Sequence, residues 1–238
     1  MHVYRPLGRI EALTFDLDDT LYDNFEVVRR SSQEALQFLR ELHPGLRSLT
    51  EAEFGTMRSE LRAQEPEIYH DMTEWRRRTV VLALRRQGMS EAEADDGAAK
   101  AMTHFAYWRS RISISQETHD TLGALAQRWP LAAITNGNAD PHACGLGEYF
   151  QFVLRAGPDG RAKPWHDMFH QAAERLNLPL HHLLHVGDDL ITDVAGAVRC
   201  GMQSCWIAPQ RANLMQLREA RLLPHIAIAR LVSLTALL

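Results

Sequence analysis

The chain has 238 residues, 45% of them hydrophobic and 24% charged, with a formal net charge of −4. That length can bury a full core and carry an inserted domain, and the ordinary composition argues against a disordered chain. The negative charge argues against nucleic acid as the main partner, and no apolar run approaches the roughly 20 residues that cross a bilayer, so no membrane partner is expected.

The N-terminal "MHVYRPLGRI" lacks the apolar stretch of a signal peptide. Cys144, Cys200 and Cys205 form no C-x-x-C pair and fit a reducing compartment, so a cytoplasmic protein is expected. The first apolar run, ALTFDL at 12–17, predicts a strand. It runs directly into carboxylates: Asp16, Asp18, Asp19 and Asp23 fall within "FDLDDTLYD".

From about 22 to 115 no strand is predicted. Thr50 with Glu53 and Ser90 with Glu93 match the capping box, and "WRRRTVVLALRRQG" (75–88) is an amphipathic helix pattern closed by Gly88. Further strands are predicted at 131–136 (LAAITN), 152–155 (FVLR), 183–187 (LLHVG) and 203–208 (QSCWIA), with a weaker one near 226–228. Helical patterns fall between them at 165–177 and 191–200. The tail "HIAIARLVSLTALL" is apolar but interrupted by Arg230, and is expected to pack on the core. Strands alternating with helices imply parallel pairing through crossovers. The expected fold is therefore α/β, a doubly wound, Rossmann-like parallel sheet with an inserted all-helical cap. Residues 1–21 and 116–238 would form the core and 22–115 the cap, placed over the carboxyl edge where open sheets bind ligands.

Four polar clusters fall at predicted strand ends or in the loops that follow: "DLDDT", "TNGN", "AKP" and "GDDLITD". If they converge, the crowded carboxylates need a cation, and Mg²⁺ suits oxygen ligands and a substrate phosphate. A carboxylate is also a nucleophile. Asp16 could attack phosphorus to form an aspartyl-phosphate, with Asp18 protonating the leaving alkoxide and then activating water. Thr135, Asn136 and Lys163 are the candidate binders of the phosphoryl group, whose charge must be stabilised in the transition state.

In this order, "DLDDT", "ITNGN", "AKP" and "GDDLITD" resemble the four motifs of the haloacid dehalogenase superfamily of phosphatases. The resemblance implies Asp16 as nucleophile and Asp18 as general acid/base, Asp18 also binding Mg²⁺ through its backbone carbonyl. It makes Thr135 the second-motif hydroxyl, Lys163 the third-motif lysine and Asp188 a metal ligand. The implied metal set is thus Asp16, Asp18 and Asp188, with Asp189 and Asp193 matching acidic positions that assist. "EPEIYHDMTEWR", "WRSRI" and "RAGPDGRAKP" are similar to a branch of the family that acts on 5-amino-6-(5-phospho-D-ribitylamino)uracil, FMN and other small phosphate esters.

Other readings stay open at this point. The same fold could carry a phosphotransferase, a dehalogenase or a non-catalytic binder of phosphometabolites. Asp193 could be a first-turn acid favoured by the helix dipole. His166 and His170 have a zinc-compatible spacing but read better as an exposed helix face. Arg109 and Arg111 read as hinge ion pairs or as substrate contacts. Tyr22, Asn24, Tyr69, His70, Trp75 and Arg76 are candidates to meet the substrate. Trp75 reads better as a residue filling the interior of the cap.

Overall fold

All six predicted runs enter one sheet. The computed structural model describes residues 1–208 and 214–238. Its strands are β1 (His2–Val3), β2 (Ala12–Phe15), β3 (Leu131–Thr135), β4 (Val153–Arg155), β5 (Leu183–Gly187), β6 (Gln203–Ile207) and β7 (Ile226–Ile228), in the order β1-β7-β6-β5-β2-β3-β4. Every pairing is parallel except β1 with β7. β1 escapes prediction because two residues carry no periodicity.

β2, β3 and β5 are buried along their whole length, which explains why they read as continuous apolar runs. Their side chains still alternate between two cores. Leu13, Phe15, Leu131 and Val186 pack on one face of the sheet, with Leu122 and Leu125 of helix α5 (Gln116–Ala126). Ala12, Ile134 and Leu183 pack on the other, with Phe169 of α6 (Asp167–Leu176). Each fully buried Leu or Phe contributes roughly 1.5–3 kcal/mol, so both faces hold the central strands firmly.

The chain builds outward from β2 to β3 and β4, then returns to lay β5, β6 and β7 on the opposite side. The strand order therefore reverses at β2. In such sheets the crevice beyond the carboxyl ends at the reversal is the ligand site.

Between β2 and α5 lie four helices: Phe25–Leu42, Glu51–Gln64, Met72–Arg85 and Glu91–Arg109, the first four α-helices of the chain (α1 to α4). Both capping boxes form. Thr50 Oγ1 accepts from Glu53 N at 3.2 Å and Ser90 Oγ accepts from Glu93 N at 3.3 Å, while each Glu accepts from the cap backbone N–H at 2.8 Å. The helices share a core of their own that includes Leu39, Met57, Val80, Leu84 and Ala98. At Gly97 a Cβ would lie 2.7 Å from Leu84 Cδ1, so the glycine lets α3 and α4 approach closely. The architecture is the expected doubly wound sheet with an all-helical insert. Among the described residues no helix is long and apolar enough to cross a membrane.

Candidate active site

Asp16 follows β2 directly, and its backbone N–H still donates to Val186 O at 2.9 Å, so the last rung of the ladder holds it. Three residues later the chain turns. Asp19 does this in the left-handed region, at φ 58°, where Asp is among the few non-glycine residues tolerated. Its side chain accepts from Asn24 N at 2.8 Å and fixes the turn. The turn returns Thr20 to the site, where its hydroxyl lies 3.1 Å from Asp188 Oδ1 and 3.3 Å from Asp16 Oδ2.

Lys163 enters from the loop before α6 and is buried. Its ammonium donates to Asp16 Oδ1 at 2.6 Å, Asp193 Oδ1 at 2.6 Å and Ile134 O at 2.7 Å, which uses all three protons. Asp188 follows β5. Asp193 lies in a π-helical turn, Leu190–Ala195, that leads into the short helix α7 (Gly196–Cys200). Carboxylate oxygens of Asp16, Asp188 and Asp193 all lie within 4.8 Å of one another.

Burial opposes charge at each of these groups, and the neighbours decide the outcome. Burial, Asp193 and Asp18 push the Asp16 carboxyl up against the pull of Lys163. Burial and Asp193 raise Asp188 to about 6. Asp193 is buried too, yet Lys163 and His185 hold it below the ordinary carboxylate range. For Lys163 burial is outweighed by Asp16 and Asp193, which keep the ammonium above its usual range. The cluster holds three carboxylates and one cation, an excess of negative charge that a bound divalent cation would relieve.

His185, in the middle of β5, completes the cluster from below. Its Nε2 lies 3.2 Å from Asp193 Oδ1 and its Nδ1 2.9 Å from Thr14 Oγ1. Burial pushes its pKa down, so the ring is neutral. Nε2 then carries the proton that Asp193 accepts, and Nδ1 accepts from the threonine. Asp193 Oδ2 accepts from Asp189 N at 3.0 Å. Both Asp193 oxygens are therefore committed to the protein.

Asp18 stands apart from this group. Its carboxylate accepts from Arg109 Nη2 at 2.6 Å and 2.7 Å and from Tyr22 Oη at 2.6 Å. Arg109 is the last residue of α4, so the insert reaches Asp18 where its helices rejoin the core. Of the two open readings of Arg109, an ion pair at the junction is what the structure contains. Arg111 is exposed and lies against the Tyr107 hydroxyl.

Thr135 ends β3, and its buried Oγ1 accepts from Gly137 N at 2.9 Å. Asn136 engages the backbone of Lys163 through both amide atoms, at 3.0 Å and 2.7 Å, and so fixes the lysine loop. Asp189 caps the π-helical turn by accepting from Ile191 N and Thr192 N at 2.7 Å. His70 Nδ1 accepts from Ala162 N at 3.0 Å, so the insert also grips the residue before Lys163. Of the expected site, Asp16, Lys163 and Asp188 come together. Thr135 ends the adjoining strand and Asn136 begins the loop after it, and the Asp18 side chain faces Arg109. Asp193, expected to assist the metal ligand, pairs directly with Lys163, and His185 carries no expected role. Two charges four residues apart after a strand, Asp189 and Asp193, were the available signal.

A sequence model of the haloacid dehalogenase-like hydrolases matches residues 10–201. The chain belongs to that family. This haloacid dehalogenase-like hydrolase is 58% identical over 238 residues, 100% of both chains, to the 5-amino-6-(5-phospho-D-ribitylamino)uracil phosphatase YigB of Escherichia coli (strain K12). It is 26% identical to the human N-acylneuraminate-9-phosphatase, over 98% of this chain and 95% of that one. Among solved structures, a 2-haloacid dehalogenase from Pseudomonas syringae pv. Tomato DC3000 has a TM-score of 0.87 at 33% identity, covering 95% of this chain and 97% of its own.

Proposed function

We propose that this phosphatase hydrolyses small phosphate monoesters through an aspartyl-phosphate on Asp16, with 5-amino-6-(5-phospho-D-ribitylamino)uracil as the main substrate and FMN as a further one. The full-length identity to YigB supports the substrate. The observation that carries the mechanism is the Asp16 carboxylate at the reversal of strand order, 2.6 Å from the Lys163 ammonium and grouped with Asp188.

Asp16 attacks phosphorus and the ester oxygen leaves. Lys163 offsets the charge that builds on the phosphoryl oxygens, and the Thr135 hydroxyl binds them from the end of β3. Asp18 gives a proton to the leaving oxygen and later takes one from the water that hydrolyses the intermediate. To do so its carboxylate must turn from Arg109 towards Asp16. Asn136 keeps Lys163 in place. Residues 22–115 act as a cap on a core of 1–21 and 116–238, and closure excludes bulk water from the intermediate.

The donor set fits Mg²⁺. Every candidate ligand is a hard oxygen, and of the three clustered carboxylates Lys163 pairs with two, Asp16 and Asp193. Asp16, Asp188 and the Asp18 backbone carbonyl would hold the ion, with Asp193 beside them tied to Lys163 and His185. When bound, the cation supplies charge neutralisation between the carboxylates and the incoming phosphate. Three free thiols, Cys144, Cys200 and Cys205, support the cytoplasm as its compartment.

The Asp16→Asn variant tests the mechanism. It is expected to release no phosphate from either ester in the presence of Mg²⁺ while keeping wild-type circular dichroism. Full activity in that variant contradicts the covalent route. The resemblance to a dehalogenase structure favours a second reading, attack of Asp16 on carbon. That reaction needs neither the Asp18 acid nor the Asp188 ligand, so turnover of a 2-haloacid in EDTA would select it. An alcohol acceptor that collected the phosphoryl group in place of water would select phosphotransfer instead.

A further inference from the structure

The helices α1 to α4 surround a partly open cavity of about 140 Å³ whose lining includes Ser32, Glu51, Phe54, Arg58, Arg76 and Phe105. No wall comes from the sheet. The polarity of the cavity is unusual for the inside of a helical unit. Arg77 and Arg78, next to Arg76 on α3, pair with Glu74, Asp95 and Glu65. Among the described residues Arg76 has no such partner, and its guanidinium lies 4.0 Å over the Phe105 ring and 5.9 Å from that of Phe54. Burial lowers its pKa to about 10, helped by the charges of Arg58 and Arg109 and opposed by that of Glu51. Arg58 lies 4.0 Å over the Trp75 ring, whose Nε1 donates to Arg58 O at 2.9 Å. The Arg58 Nε is buried with no acceptor, and its other polar contact is a long one to Met72 Sδ at 4.0 Å.

Two partly desolvated guanidinium groups with no carboxylate in salt-bridge contact cost stability, and Glu51, which also lines the cavity, offsets this at Arg76 only through its longer-range charge. Their donors suit a ligand that brings acceptors with it. The cavity's size limits that ligand, because about 150 Å³ admits one benzene-sized ring. Its position connects it to the chemistry. Phe105 and Arg109 lie one turn apart on the same face of α4, about 6 Å along the axis, and Arg109 holds Asp18. Arg109 Nη1 is also buried without an acceptor.

We propose that this cavity is the leaving-group subsite of the enzyme and takes a single six-membered ring bearing carbonyl acceptors, with Arg58 and Arg76 donating to the carbonyls and Phe105 against the ring. The assignment rests on the phosphatase reading and makes it more specific. A pyrimidinedione fits within it and a three-ring flavin exceeds it, which makes FMN the poorer of the two proposed substrates. Trp75 acts by positioning Arg58.

The test is calorimetric binding of 5-amino-6-ribitylaminouracil, the dephosphorylated product, with ribitol as the ring-free control. Wild-type protein is expected to bind the ring compound and not ribitol. Arg76→Gln should weaken that binding about tenfold or more, the loss typical of a hydrogen bond to a charged group. Ser32→Phe, which fills the cavity, should abolish it. The melting temperature of Arg76→Gln should equal or exceed that of the wild type, since an unpaired cation is removed. A marked fall there would assign Arg76 to structure and overturn the proposal. In parallel, the ratio of kcat/KM for the ribitylaminouracil phosphate over ribitol 5-phosphate should collapse in Arg76→Gln, and wild-type protein should disfavour FMN. Unchanged ring affinity in both variants, or FMN turned over as well as the one-ring ester, also overturns the subsite. Ring binding by a wild-type protein that hydrolyses no ester would keep the subsite and remove the phosphatase reading.

Discussion

Lys163 ties three parts of the site together, because one ammonium bridges Asp16, Asp193 and the end of β3 at Ile134 O. Removing it leaves two buried carboxylates facing each other. Lys163→Met should therefore cost about 3–5 kcal/mol of stability as well as activity, measured by urea unfolding. A variant with wild-type stability would show that the carboxylates repartner freely and that the triad is not a structural unit. Single residues were legible where chemistry interrupts pattern. Asp16 and Asp188 stand out because an apolar run stops at them. Asp193 did not, because its role depends on the π-helical turn that aims it back at Lys163. His185 read as an ordinary strand residue, since nothing in "LLHVG" says that it meets Asp193 below the sheet. The Asp18–Arg109 pair joins residues 91 positions apart and has no local signature.

The elements meet at two glycines that leave room for the acids. A Cβ on Gly187, the last residue of β5, would press into the Asp193 side chain. A Cβ on Gly137, two residues after β3, would press on the Asp18 carboxylate. Gly187→Ala should shift Asp193 away from Lys163 and lower kcat about a hundredfold with the far-UV circular dichroism unchanged, since misplacement near 1 Å has that effect. A wild-type rate would mean that Asp193 does not set the position of the lysine. The strands were readable because burial on both faces makes them continuous apolar runs. The helix starts at Thr50 and Ser90 were readable because a capping box is a local hydrogen-bond pattern. The cavity was not, because its lining is drawn from four helices separated by loops.

For the whole molecule, the sheet reversal at β2 gathers acids from both ends of the chain, and cation binding should report on that gathering. A carboxyl raised to about 6, as at Asp188, binds its proton more tightly in the folded chain than in the unfolded one. Without a cation this group therefore adds stability as the pH falls through about 6 and loses it as the pH rises. A cation needs the ionised form, so its effect has the opposite sign. Mg²⁺ at about a hundred times its Kd should raise the melting temperature by roughly 5 °C or more at pH 7.5 and by much less at pH 5. An equal shift at both pH values would place the ion elsewhere.

Rapid quenching of wild-type protein during turnover of a ³²P-labelled ester, followed by peptide mapping, looks for the phosphorus on Asp16 itself. A base-labile label on the peptide that contains Asp16, absent from the Asp16→Asn variant, is the expected result. Phosphate released at full rate with no labelled peptide at any quench time would contradict it.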